Sequence, residues 1–305
     1  MEVRAKKSLG QHFLTDQGIA RAIVDALAVE EQDADGRRTA VPDAAGPAAG
    51  NGQAEGQAEG QAEGRTTPVL EVGPGMGVLT QYLLQRPELD LTAVELDGES
   101  VEYLRKHFPA LEGRLLQEDF LRMNLERRFP GSFRIIGNFP YNISSQIFFK
   151  VLEHRDRIPE VVCMIQKEVA DRIAEKPGTK TYGILSVLLQ AWYDIEYLFP
   201  VGPGAFAPPP KVQSAVIRLR RNGRQSLGCD EKLFKALVKT SFGQRRKTLR
   251  NSLRPLVAQK FLPGTAEYVR VLSEPVFDLR PERLSVEDFV ALTNRLLTYD
   301  QMNNQ

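Results

Sequence analysis

Val69-Leu70-Glu71-Val72-Gly73-Pro74-Gly75-Met76-Gly77 is a short apolar run that ends in three alternating glycines. Such a run reads as a buried strand, and Val78 to Leu84 reads as the start of a helix behind it. Glycine is needed where the main chain must bend with positive φ, or where a ligand must touch backbone with no Cβ in the way. Nicotinamide enzymes usually space these residues Gly-x-Gly-x-x-Gly and place a pyrophosphate at the helix N-terminus. Here the third glycine falls one residue earlier, and Glu71 precedes the first. That suits S-adenosylmethionine, whose amino-acid end carries no phosphate, and leaves a nicotinamide oxidoreductase as a distant alternative.

Downstream of this loop, strands and helices alternate. Leu91 to Leu96 is a strand, followed by a helix over 100–107 and a run from Arg114 to Glu118. Phe133 to Gly137 is a strand followed by a helix over 144–153; Val161 to Ile165 is a strand followed by a helix over 167–174. A helix over 183–192 and strand-like runs Asp194 to Phe199 and Ala215 to Leu219 complete the series. The pattern predicts an α/β fold with a mainly parallel, doubly wound sheet. From about Glu231 the periods become helical, over 231–240, 245–259, 265–272 and 285–299, with Pro255, Pro263, Pro275 and Pro281 between and within them. These predict a small all-helical C-terminal domain, giving boundaries of 1–204 and 205–305.

Upstream, residues 16–28 read as an amphipathic helix capped by Asp16, with Ile19, Ile23, Val24 and Leu27 at helical spacing. Periodicity is then lost from about Glu30 to Thr67, and Gly-Gln-Ala-Glu recurs at Gly52, Gly56 and Gly60. So little apolar area cannot offset the entropy of ordering, so 32–66 is expected to be a flexible insertion.

The 305 residues allow about two domains, and 42% hydrophobic content allows real cores. No run approaches the roughly 20 apolar residues of a membrane span, and no apolar signal stretch follows Met1. Cys163 and Cys229 form neither a disulfide framework nor a metal motif, which fits a reducing cytoplasm. The net charge of +1 is unevenly distributed. Residues 205–305 hold 18 Lys and Arg against 9 Asp and Glu, while residues 1–204 hold 22 against 30. A basic rear half suits a polyanion.

Asn138-Phe139-Pro140-Tyr141 ends the fourth strand, at the carboxyl edge where such sheets bind ligands. An adenine amine is a poor nucleophile because its lone pair is delocalised into the ring. Two acceptors, one for each N–H, draw it toward a tetrahedral shape: the side-chain oxygen of Asn138 and the main-chain carbonyl of Phe139. Pro140 stiffens that peptide, and the Tyr141 ring offers a stacking face. No general base is evident, since His12, His107 and His154 lack triad partners, and His107 and His154 are expected at the surface. None is required, because the nitrogen becomes acidic once methylated; catalysis rests on positioning and electrostatics. Glu95, at the end of the second strand, can accept from the ribose hydroxyls of a cofactor. Asp119 can accept from its adenine amine, with Phe120 packed on that ring. Asp97 is expected to cap the helix that follows it.

With these residues in place the chain resembles the small-subunit ribosomal RNA adenine dimethyltransferases, the KsgA/RsmA family. The resemblance is also carried by Lys6-Lys7-Ser8-Leu9-Gly10-Gln11-His12-Phe13-Leu14, by Gly204 to Val216, and by Phe242 to Leu253 with its Gln244-Arg245-Arg246-Lys247 run. It implies a Rossmann-like class I methyltransferase domain with a helical, basic RNA-binding domain behind it. It implies cofactor contacts from His12, Leu14, Gly73, Gly75, Glu95, Asp119 and Asn138, and a second ring for the flipped adenine from Phe206. It also implies four methyl transfers, two to each of two adjacent adenines near the 3′ end of 16S rRNA, from S-adenosylmethionine and without a metal. Phe139 stands where the family commonly has Leu, a change expected to alter packing but not the main-chain acceptor. Arg245, Arg246, Lys247 and Arg250 are expected to contact phosphate from one helix face, with recognition by RNA shape. The expected partner is 16S rRNA within a small-subunit assembly intermediate, met by a cytoplasmic monomer. Two alternatives are a large-subunit rRNA adenine methyltransferase and an RNA-binding assembly factor with little catalytic duty.

Overall fold

A computed structural model of the chain describes residues 3, 5–6, 9–28, 30–32, 38–40 and 66–303. Its strands are β1 (Phe13–Leu14), β2 (Glu30–Gln32), β3 (Arg38–Ala40), β4 (Thr67–Val72), β5 (Leu89–Glu95), β6 (Leu115–Gln117), β7 (Arg134–Asn138), β8 (Glu160–Gln166), β9 (Tyr193–Val201), β10 (Phe206–Ala207) and β11 (Ser214–Arg221). Between them lie α1 (Gln17–Asp25), α2 (Thr80–Leu83), α3 (Gly98–His107), α4 (Leu125–Arg128), α5 (Ser144–Glu153), α6 (Lys167–Ala174) and α7 (Ile184–Gln190). Behind them come α8 (Glu231–Gly243), α9 (Leu249–Ser252), α10 (Arg254–Ala258), α11 (Ala266–Leu272) and α12 (Val286–Asn303).

Seven strands form one sheet in the order β6-β5-β4-β7-β8-β11-β9. The pairs β6-β5, β5-β4, β4-β7 and β7-β8 are parallel, while β11 runs antiparallel to both β8 and β9. The buried β8 shows how the two faces arise from a period of two. Val161, Cys163 and Ile165 pack into one apolar cluster, and Val162 and Met164 into the other. The second cluster holds α1 through Ile23 and Val24 and α2 through Leu79 and Leu83, and the first holds α5 to α7. On α5, Ile147, Phe148 and Val151 turn inward at helical spacing and are fully buried; each contributes about 1.5–3 kcal/mol. Asp16 caps α1 by accepting from the Ile19 N–H at 3.0 Å.

The same first cluster continues into Phe234, Leu237, Leu249, Phe277 and Phe289, so the helices after Asp230 share a core with the sheet. Arg155 reinforces that seam. Its guanidinium lies 3.9 Å from the Trp192 ring centre and bonds both Glu231 carboxylate oxygens at 2.9 and 3.2 Å.

Three expectations change. Strand β11 lies inside the sheet, so the sheet is complete only at Arg221, beyond the expected boundary at residue 204. The helix expected over 245–259 is broken: residues 244–248 form a turn, and α9 and α10 are short pieces with Pro255 in the first turn of α10. The expected insertion begins with a short antiparallel pair, β2 with β3. Its Gly-Gln-Ala-Glu repeats lie outside the described residues.

Candidate active site

A cavity opens at the carboxyl ends of β4, β5 and β7, on the side of the sheet where strand order reverses between β4 and β7. This is where open α/β sheets bind ligands, because loops there diverge to opposite faces. Glu71 lines it from the end of β4, Gly73 and Gly75 from the loop after it, Glu95 from the end of β5, Asp119 and Phe120 from the loop after β6, and Asn138 to Tyr141 from the end of β7. Residues Leu9 to Leu14 close the remaining side. The structure therefore brings together every expected site residue of the cofactor and amine sets except Phe206.

The three glycines of the loop have φ of +70°, +58° and +79° at Gly73, Gly75 and Gly77. At Gly75 a Cβ would lie 3.0 Å from the Phe13 ring, and the bare N–H instead donates to Glu95 Oε2 at 3.1 Å. At Gly77 a Cβ would come within 2.3 Å of Phe108, so this residue serves packing and not a ligand. A Cβ on Gly73 would stand 3.8 Å from the Asn138 main-chain oxygen, which places the glycine loop against the amine site.

Glu95 is buried, and it also accepts from the Asp97 N–H at 2.9 Å through Oε1. Burial pushes its pKa up, and those N–H groups oppose the rise without cancelling it. The carboxylate lines the cavity and keeps acceptor capacity toward it. Asp97 is buried at the start of α3. Burial alone would raise its pKa, but bonds from Lys6 and from the Ser100 hydroxyl hold it below the ordinary range. Its expected capping role is met at Ser100, whose Oγ donates to it at 3.0 Å.

Glu71 is 1% exposed. Its Oε2 accepts from Thr80 Oγ1 at 2.7 Å, and its Oε1 has no partner. Burial pushes its pKa up to about 8, the Thr80 bond pulls the other way, and neighbouring Glu95 adds to the rise. A buried, unpartnered carboxylate oxygen on the cavity wall is what an ammonium group would satisfy. Together with the bare glycine loop, Glu95 and the apolar Phe120, it fits the amino-acid, ribose and adenine parts of S-adenosylmethionine.

Asp119 is half-buried, accepts from the Leu121 N–H at 2.9 Å, and lies 3.5 Å from Arg122. Lys150, which the sequence reading passed over, holds this loop. Its ammonium donates to the main-chain oxygens of Leu121 at 3.0 Å and Met123 at 2.6 Å, and lies 5.4 Å from the Phe120 ring centre. A lysine on the inward face of α5, beside Ile147 and Val151, was the available signal.

At the amine site, Asn138 Nδ2 donates to the His12 main-chain oxygen at 3.0 Å. A carbonyl only accepts, so the amide is fixed with its nitrogen there and its oxygen free. The Phe139 side chain is buried against Phe148, with ring centres 6.0 Å apart. The aromatic ring thus fills core space while its carbonyl stays at the cavity. The Tyr141 ring lies 5.4 Å from that of His12, stacked at 30°, and its hydroxyl bonds Ser214 Oγ. Burial raises the Tyr141 pKa, so it acts as a neutral face. His12 Nδ1 bonds the Pro208 oxygen at 3.0 Å. Of the other histidines, His107 is exposed and His154 is half-buried.

Phe206 does not reach the cavity. It pairs in β10 with Leu14 of β1, is 4% exposed, and packs into the second apolar cluster. Its ring is a core residue beneath the N-terminal segment. The four basic residues also part company, because the turn at 244–248 gives them no common helix face. Arg245 donates to the main-chain oxygens of Lys180 at 2.6 Å and Tyr182 at 3.4 Å, and Arg250 pairs with Asp278 at 2.7 Å. Arg246 and Lys247 are exposed. Among the described residues no group of three or more His, Cys, Asp or Glu could hold a metal ion, and no helix is long and apolar enough to cross a membrane.

Sheet order and cavity together define a class I methyltransferase that uses S-adenosylmethionine. The family profile described as ribosomal RNA adenine dimethylase matches residues 2–290, and the chain belongs to that family. It is 54% identical over 291 residues to the ribosomal RNA small subunit methyltransferase A of Parabacteroides distasonis, covering 95% of this chain and 93% of that one. It is 50% identical over 295 residues to the protein of the same name from Porphyromonas gingivalis, covering 96% and 98%. A solved dimethyladenosine transferase from Plasmodium falciparum shares the fold, with a TM-score of 0.68 at 22% identity over 94% of this chain and 98% of that one. The 23S rRNA methyltransferase ErmE does so with a TM-score of 0.55 at 23% identity, over 92% and 99%.

Proposed function

We propose that this chain methylates N6 of two adjacent adenines near the 3′ end of 16S rRNA, twice each, within a small-subunit assembly intermediate in the cytoplasm, and that it works as a monomer. The observation that carries the chemistry is the fixed amide of Asn138, whose oxygen is left free in the cavity. Glu71, Gly73, Gly75, Glu95, Asp119, His12 and Leu14 would hold S-adenosylmethionine, with Phe120 against its adenine. When bound, that molecule supplies a methyl group made electrophilic by its sulfonium.

The target amine has two hydrogens to place. One points to Asn138 Oδ1 and the other to the Phe139 carbonyl, and both bonds strengthen as the nitrogen becomes tetrahedral and positive. Pro140 keeps the Phe139 peptide stiff, and Tyr141, held at its hydroxyl by Ser214, stacks on the base. After the first transfer one hydrogen remains, so one acceptor releases its partner and the methyl group takes that space. The proton leaves to water from a nitrogen already acidified by methylation. Outside the cavity, Arg246 and Lys247 are exposed and have no ion-pair partner among the described residues, which leaves them for phosphate contact.

The test is methylation in vitro of small subunits from a strain that lacks the modification, followed by analysis of the nucleosides. Dimethyladenosine in the small-subunit RNA is the expected product. Monomethyladenosine alone, or label in large-subunit RNA, refutes the reading. Asn138→Ala should lower the rate by about 10²–10³-fold, as loss of one preorganised group does elsewhere. An Asn138→Ala protein that still methylates normally would remove the amide from the mechanism.

A further inference from the structure

Resting on that proposed reading, we infer that Lys6 is a positioning residue for residues 9–14, the stretch that closes the cavity. The segment crosses the cavity from the cofactor wall to the amine wall. At its far end it is well fixed. Phe13 and Leu14 pair with Ala207 and Phe206, the Thr15 N–H donates to the Ala205 oxygen at 2.8 Å, and His12 bonds Pro208. Between these ties, the His12 carbonyl receives the Asn138 amide. Without that carbonyl the amide could turn over. Its NH₂ would then face the target amine, donor against donor.

At the near end the side-chain anchor is Lys6. Its ammonium bonds Asp97, lies 3.0 Å from Glu99, and is the cation that holds the Asp97 carboxyl below its ordinary range. Asp97 in turn donates its N–H to Glu95 Oε1. One cation therefore ties the segment to the same corner that presents Glu95. Lys6 is also bonded to residues that follow shortly after it in sequence. The Lys6 N–H donates to Gln11 Oε1 at 2.9 Å, and the Leu9 N–H donates to the Lys6 oxygen at 3.0 Å. The chain then passes Asn142 so closely that a Cβ on Gly10, at φ +64°, would fall 2.6 Å from Asn142 Oδ1. Lys6 and Gln11 are bonded directly, the Gln11 N–H also donating to the Lys6 oxygen at 3.4 Å, so a loss at Lys6 is transmitted to the neighbouring His12.

Lys6→Met tests this in the whole protein, with Lys6→Arg as the conservative control. The probe is S-adenosylhomocysteine, measured by calorimetry without RNA, beside hydrogen–deuterium exchange of residues 9–14 in the ligand-free protein. For Lys6→Met, affinity should fall about fivefold, the worth of a partly exposed ion pair. Exchange over 9–14 should quicken, and kcat at saturating cofactor should fall. Lys6→Arg should stay within about twofold of the parent. Parental affinity and exchange in Lys6→Met overturn the inference. So does a variant whose defect is confined to KM for the ribosomal subunit, since that marks Lys6 as a phosphate contact. Failure of the parent protein itself to bind the probe would sink the underlying reading instead.

Discussion

Glu71→Gln isolates the most perturbed carboxyl on the cavity wall. Glu71 has its pKa raised from an ordinary 4.5 to about 8, first by burial. A carboxyl whose pKa is higher in the folded than in the unfolded chain keeps a proton that the unfolded chain has lost. Its contribution to stability is therefore whole at low pH and fades as pH rises from about 4.5 toward 8. Between pH 6 and pH 8 the linkage relation gives a loss of about 2 kcal/mol from this one group. Glutamine copies the protonated acid: its oxygen can accept from Thr80, and its NH₂ takes the place of the unpartnered Oε1. Urea unfolding of both proteins at pH 5, 6, 7 and 8 is the assay. Set equal at pH 5, the two should diverge with Glu71→Gln the more stable, by about 3–4 kcal/mol at pH 8. The same variant should bind S-adenosylhomocysteine more weakly, because an amide donor would then face an ammonium. Parallel stability curves across the whole range would refute the raised pKa of the buried Glu71.

Two further predictions separate residues that the sequence grouped together. Arg246→Ala and Lys247→Ala should each weaken RNA binding and lower the salt slope by about one, whereas Arg245→Ala and Arg250→Ala should leave the slope alone and reduce thermal stability; filter binding against salt and calorimetric melting distinguish the pairs. Phe206→Leu should cost about 1 kcal/mol of stability, as a shape change in a packed site does, and keep methylation within about threefold. A large loss of rate in a stable Phe206→Leu protein would restore its ring to the target base.

Local signals were legible wherever one element settles its own structure. The inward residues of α5 and α6 repeat every three or four positions, so both helices run as the pattern says, over Ser144–Glu153 and Lys167–Ala174. The glycine loop, Glu95, Asp119 and Asn138 are each placed by the end of a strand, and the parallel order of those strands brings them to one crevice. What stayed hidden depends on partners far along the chain. The direction of the Phe206 ring follows from its pairing with Leu14, across 192 residues. Arg250 looks like a phosphate ligand until Asp278 is seen beside it. The run from Arg245 has helical composition, yet Pro255 and the turn at 244–248 divide it. The anchor between Lys6 and Asp97 joins a basic N-terminus to a helix cap that nothing in either sequence neighbourhood connects.

The shared apolar cluster beneath the sheet and the rear helices has a mechanical consequence. On the proposed reading, a crevice that strikes two neighbouring nucleotides in turn needs a constant offset from the surface that would grip the RNA. A swivel between two separate lobes would blur that offset, whereas a common interior makes the molecule a rigid gauge. The only indole of the chain, Trp192, lies pressed against Arg155 at that junction. Its fluorescence is thus a built-in optical sensor of any slippage between the sheet and the rear helices.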